Sequence, residues 1–159
     1  SVGGGLEIAL ACDLRVARRG SGKCGLPEVT LGVLPGTGGT QRLARLVGPS
    51  RAIELMASGR TFDYEEAERL GLVDRQIDAA DEVQFLARTF EWVRGFCPPA
   101  RPALAVGHIK RAVKSGLEVP LEAGLALERE LQQRLFTSAD AREGLAAFLE
   151  KRPARFEGK

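Results

Sequence analysis

The feature that most constrains this chain is Gly3-Gly4-Gly5-Leu6-Glu7, running directly into Ile8-Ala9-Leu10-Ala11-Cys12-Asp13. Three consecutive glycines leave a stretch of backbone bare, and the apolar pattern after them predicts a helix whose first N–H groups have no acceptor inside it. Such a helix start favours negative charge. Glu7 stands beside that donor site, placed for acid or base work on whatever the donors hold. The rest of the helix is apolar all round, which predicts burial on every side. No Lys or Arg lies at helical spacing from Glu7, since i+3 and i+4 are Leu10 and Ala11. A buried carboxylate in that position either steadies the helix dipole or has a chemical task.

Composition narrows the function classes. A chain of 159 residues with 44% hydrophobic and 28% charged residues reads as a soluble globular core, with room for an appendage. The net charge of +2 lacks the concentrated basic face of a nucleic-acid binder. No run nears the ~20 apolar residues of a membrane helix. The start shows neither an initiator Met nor a basic segment before an apolar h-region. Cys12, Cys24 and Cys97 are odd in number and form no CxxC, so neither a disulfide framework nor a metal site is expected, and a reducing compartment fits. With His108 the single histidine, Ser-His chemistry has no basis.

Downstream, Leu14 to Ala17 and Lys23 to Gly25 read as short strands, the second stopped by Pro27. Glu28 follows; taken alone it is a solvated acid. Pro35-Gly36-Thr37-Gly38-Gly39-Thr40 resembles a phosphate loop only superficially, because no Gly-Lys-Ser/Thr ending follows. It is expected to be a tight turn opening a helix from Gln41 to Val47, with Thr40 as cap. Further helices are predicted from Ser50 to Ser58, Tyr64 to Leu70 and Glu82 to Gly95, with a strand at Leu72 to Ile77. Pro98, Pro99 and Pro102 mark a break. Beyond it, helices are predicted over 103–115, 121–136 (Leu121 to Phe136) and 139–151, the last capped by Ser138. The expected division is a mixed front part, 1–97, and a helical rear part, 98–159. The front offers few strands, so part of the surface these helices need is expected from a neighbouring subunit or from an upstream portion.

Gly3-Gly4-Gly5-Leu6-Glu7 with its apolar helix and Cys12-Asp13, then Gly25-Leu26-Pro27-Glu28, then Leu34-Pro35-Gly36-Thr37-Gly38-Gly39-Thr40-Gln41-Arg42-Leu43, together and in order resemble the enoyl-CoA hydratase/isomerase (crotonase) family. Gly59-Arg60, Ala67, Gly71-Leu72-Val73 and the closing stretch from Phe136 through Ser138, Asp140, Glu143-Gly144, Ala147-Phe148 and Glu150-Lys151-Arg152 to Phe156 extend the match over the whole chain. The resemblance implies an α/β fold with a crotonase-like ββα spiral core, present in part, its residues 1–97 carrying the active-site carboxylates. It implies that 98–159 form a helical oligomerisation region that makes trimers, often paired as a dimer of trimers.

The implied substrate is an acyl-CoA thioester whose carbonyl oxygen sits between two backbone N–H donors. One is Gly4; the other lies, in the family, on a segment before the present Ser1. Glu7 and Glu28 become the catalytic pair, Glu7 activating water and Glu28 delivering the α-proton, with their like charges expected to raise at least one pKa. Gly3, Gly5, Pro27 and Gly36 complete the implied substrate-binding set. Lys151, with Arg152, is implied at the CoA phosphates, against the simpler reading of a cationic helix end. Cys24 departs from the family, which commonly has an aromatic residue there. No cofactor is expected, coenzyme A being part of the substrate, and the implied location is the cytoplasm or the mitochondrial matrix. Keeping both acids favours a hydratase over an isomerase or another crotonase-fold activity. A non-catalytic fragment or an RNA-binding module, using the basic face of Lys110, Arg111 and Lys114, is the competing class.

Overall fold

The computed structural model describes residues 1–159 and resolves into two compact units, Ser1–Thr89 and Phe90–Lys159. In the first, chain order runs α1 (Gly4–Ala11), β1 (Val16–Arg18), β2 (Lys23–Cys24), a 3-10 turn (Glu28–Leu31), α2 (Gly39–Val47), α3 (Pro49–Ser58), β3 (Phe62–Asp63), α4 (Tyr64–Arg69) and β4 (Arg75–Ile77). Helix α5 (Glu82–Arg94) begins in this unit and ends in the second. The second holds α6 (Ala103–Gly116), α7 (Leu121–Phe136) and α8 (Ala139–Glu150). The break expected at 97/98 lies just past the end of α5, whereas the two units meet inside that helix.

Strands are few and short, as the sequence implies, and they pair across long separations. β1 runs parallel to β4, Val16 opposite Arg75 and Arg18 opposite Ile77, while β2 is antiparallel to β3. Arg15 secures the first pairing: its backbone N–H and guanidinium both reach Asp74, and its Nε–H donates to the Leu72 carbonyl. One core serves the unit, with Leu6, Leu10, Cys24, Leu26, Leu43, Ala52, Leu55, Phe62 and Leu72 buried together. Burial pushes the Cys24 thiol up to about 11, so it acts as a packing group and not as a nucleophile.

Three expectations need correction. Helix α1 is not buried all round: Leu6, Glu7 and Leu10 face the core, but Ile8 is 72% exposed. This chain by itself supplies core on one side of the helix only. Thr40 does not cap α2; Gly38 holds the N-cap position and supplies no side chain. The strands are shifted too, to 16–18 and 75–77, because pairing partners rather than local alternation set their limits.

In the second unit the predicted helices form within a residue of their expected ends, and Ser138 Oγ accepts from the Ala141 N–H as the N-cap of α8. The tail folds back on this helix. Asp140, buried, accepts from the N–H groups of Glu157 and Gly158, and its own N–H donates to the Lys159 carbonyl. Glu143 takes both terminal nitrogens of Arg152 and the Arg155 N–H. Those donors hold the Glu143 carboxyl at about 2, down from 4.5, so this clasp is complete above 4.5 and lost as pH falls through about 2.

Asp140→Ala removes the charged acceptor of two part-buried N–H groups. It is expected to destabilise the second unit by about 2–3 kcal/mol and to release residues 153–159, seen as fast amide exchange at Glu157 and Gly158. Native-like protection there would show that Phe156, packed against Gly144, holds the tail without it.

Candidate active site

The site grows from the backbone of residues 1–4. Val2 forms a parallel bridge with Gly25, and the Gly3 N–H donates to the Gly25 carbonyl at 2.9 Å, which brings the start of α1 beside the segment leading into Pro27 and Glu28. Gly3 then turns the chain into the helix at φ 58°, ψ −133°, a conformation open in practice only to glycine. A Cβ at Gly3 would also lie 3.1 Å from Glu28 Oε1. Glu28 therefore faces the bare backbone at the mouth of α1.

Within this first turn the donors are accounted for as follows. Gly5 N–H goes to the Val2 carbonyl, and the Leu6 and Glu7 N–H groups to that of Gly3. The Gly4 N–H, first of the helix, has no backbone acceptor and lies at an exposed residue with nothing within 4 Å of its Cβ position. It is an open donor at the positive end of α1.

Glu7 is held by the turn that precedes α2. It is only 5% exposed, and its Oε1 accepts from the N–H of Thr37 at 2.9 Å and of Gly39 at 2.7 Å, while Oε2 accepts from the Thr37 hydroxyl. The carboxylate thus caps α2 from a distant part of the chain, the task the sequence suggested for Thr40. Arg42 ties the same turn together by donating to the Thr37 carbonyl at 2.9 Å. The Gly39 backbone approaches so closely that a Cβ there would stand 2.8 Å from Glu7 Oε1 and 2.8 Å from Pro35 Cβ.

The Glu7 carboxyl is set by its hydrogen-bond donors more than by its burial. Burial pushes the Glu7 carboxyl up, but the Thr37 hydroxyl, the N–H groups of Gly39 and Thr37, and the Arg42 charge more than offset it, and the net shift is downward from 4.5. Glu7 is an ionised carboxylate. Glu28 is less enclosed; its Oε2 is buried without a hydrogen-bond partner. The 3-10 turn that carries it is fastened by Thr30, whose N–H and hydroxyl both donate to the Pro27 carbonyl, and by the Val33 N–H on the Glu28 carbonyl.

The structure brings Glu28 beside Gly3 at the start of α1, and it sets the Glu7 carboxylate against the Thr37–Gly39 turn that follows Gly36. Lys151 belongs to the second unit as the C-cap of α8, in the left-handed region at φ 55°, and Arg152 is taken up by Glu143 and Glu150. Sequence reasoning missed Thr37 and Gly39 as carboxylate donors. The available signal was a glycine-rich turn before a helix, whose free N–H groups need an acceptor from somewhere. His108 lies half-buried in α6 with Nε2 unpartnered, as a helix-packing residue. No group of three or more His, Cys, Asp or Glu is arranged to hold a metal ion, and no helix is long and apolar enough to cross a membrane.

The helix-rich α/β scaffold, with its glycine-opened helix α1, defines the class: a part of a crotonase fold. The enoyl-CoA hydratase/isomerase family model matches residues 1–159, and the chain belongs to that family. It is 43% identical to the mitochondrial methylglutaconyl-CoA hydratase of Mus musculus over 160 residues, covering 100% of this chain and 50% of that protein. Among solved structures, enoyl-CoA hydratase from Geobacillus kaustophilus HTA426 superposes with a TM-score of 0.90 at 51% identity, over 99% of this chain and 58% of that one. The Bacillus anthracis enoyl-CoA hydratase gives 0.85 at 38%, over 100% and 59%. The chain spans about half the length of the curated relatives it matches.

Proposed function

We propose that the protein to which this chain belongs is an enoyl-CoA hydratase, adding water across the 2,3 double bond of an acyl-CoA thioester. The observation that carries the reading is a buried carboxylate on α1, Glu7, held by three hydrogen bonds, together with Glu28 beside Gly3 with a buried oxygen that has no partner. Water gives a proton to Glu7 as its oxygen bonds to the β-carbon. The π electrons pass toward the thioester oxygen, where the Gly4 N–H and a second donor from outside this chain stabilise the enolate, and Glu28 delivers a proton to the α-carbon. No cofactor enters this scheme. The names of the relatives support the substrate class.

Lys151 is assigned to the CoA phosphates, and the exposed Leu145, Phe148 and Leu149 of α8 to subunit contacts in a trimer or a dimer of trimers. The mouse relative is mitochondrial by name, in keeping with a reducing compartment, matrix or cytoplasm. The test is the product formed by the full-length protein from crotonyl-CoA. A product heavier by one water is expected; a product of unchanged mass with a migrated double bond would make it an isomerase instead.

A further inference from the structure

We infer that Thr37 is a positioning residue for the base, its hydroxyl closing one side of Glu7 Oε2 so that a single acceptor site remains on the carboxylate for the reacting water. The inference rests on the proposed role of Glu7 as that base. A carboxylate offers about four lone-pair sites. In this structure Oε1 takes two N–H groups, from Thr37 and Gly39, and Oε2 takes the Thr37 hydroxyl. Three sites are filled by one turn of chain, and the vacant one lies on Oε2.

The two kinds of donor are not equivalent. Backbone N–H groups come with the turn whatever side chain stands at position 37, but the Oε2 contact exists only if residue 37 carries a hydroxyl. Without it the carboxylate is fixed through one oxygen and can pivot about that end, and two sites on Oε2 compete for water. Thr37 is itself exposed and turns only its hydroxyl inward, so its other atoms contribute little to the core. Arg42, bonded to the Thr37 carbonyl, helps keep the residue in place through its backbone. A proton acceptor must be oriented as well as ionised, since misplacement of a reacting group is costly in rate.

The experiment compares Thr37→Val, Thr37→Ser and Glu7→Gln in the full-length protein, by steady-state kinetics of crotonyl-CoA hydration across pH. Thr37→Val, equal in shape, is expected to lower kcat about tenfold with KM changed by less than about twofold, the loss of one hydrogen bond to a charged group. It also shifts the acidic limb of the profile to higher pH, because a donor to the ionised form is gone. Thr37→Ser restores both. A 13C titration of the Glu7 carboxyl reads the same change directly, with a midpoint that rises in Thr37→Val and returns in Thr37→Ser.

Wild-type kcat and an unmoved acidic limb in Thr37→Val would overturn the inference, as would a loss that serine does not rescue. If Thr37→Val unfolds, Thr37→Ala against Thr37→Ser carries the same comparison. An inert Thr37→Val beside an inactive Glu7→Gln removes only the role of Thr37, whereas an active Glu7→Gln removes the base assignment with it.

Discussion

Glu7→Gln in the full-length protein is expected to lower kcat for hydration by about a thousandfold, within the range that a positioned general base contributes. The substitution isolates chemistry from folding. A glutamine carbonyl oxygen can accept from the Thr37 and Gly39 N–H groups as Oε1 does, and the Thr37 hydroxyl can rotate to accept from the new NH2 in place of donating. All three contacts survive with one reversed, so circular dichroism and Tm should stay near wild type while proton acceptance is lost. Glu28→Gln is expected to fall by a similar factor, since Oε2 has no partner to lose. Wild-type-like turnover in either variant would sink the two-carboxylate mechanism. Because Glu7 sits below 4.5, its ionised form persists into acid, and the activity it supports is lost only as pH falls through that lowered value. Its contribution to stability follows the same sign, present above the unfolded pKa and lost below the folded one.

The second large effect concerns a residue with no side chain. Gly39→Ala places a methyl group 2.8 Å from Glu7 Oε1 and 2.8 Å from Pro35 Cβ, closer than real Cβ atoms come, and one of those neighbours is a buried proline. The backbone at Gly39 is helical, so the conflict is steric and not conformational. The turn must open or the carboxylate must leave, and either outcome costs the N–H contact to Oε1. Destabilisation of about 1–3 kcal/mol is expected from the overpacking. The accompanying loss of kcat is expected to be at least about a hundredfold, from a displaced base. Gly36→Ala is the comparator for Tm, its Cβ meeting nothing nearer than the Leu34 carbonyl at 3.8 Å. Equal Tm values and equal turnover for the two variants would mean that the turn gives freely and does not define the site.

Both predictions depend on the 37–39 turn, and this is where reading the chain stopped short of the structure. The glycine run, the apolar helix and Glu7 as its odd carboxylate were legible because each is a local matter of side-chain size, 3.6-residue periodicity and charge. The same holds for the rear helices, whose ends fall at Gly116 and Phe136 after ordinary amphipathic stretches, and for Ser138, a cap acting three residues away. Glu28 was not legible by itself. Its meaning came from the family pattern, and its approach to Gly3 comes from a bridge between Val2 and Gly25.

What the amino-acid sequence determined on its own was the inventory: a bare helix start, two acids, a glycine-rich turn and helical segments with their limits. What only the tertiary structure decided was which donor meets which acceptor. The N–H groups of Thr37 and Gly39 are unsatisfied by their own helix, and thirty residues upstream Glu7 is a buried carboxylate with no partner on its own helix. Each costs free energy when dehydrated alone, and joining them removes both costs. That pairing holds the Glu7 pKa below 4.5 against the effect of its burial. No periodicity or spacing encodes it, because it depends on α1 and α2 packing side by side around Leu6, Leu10 and Leu43.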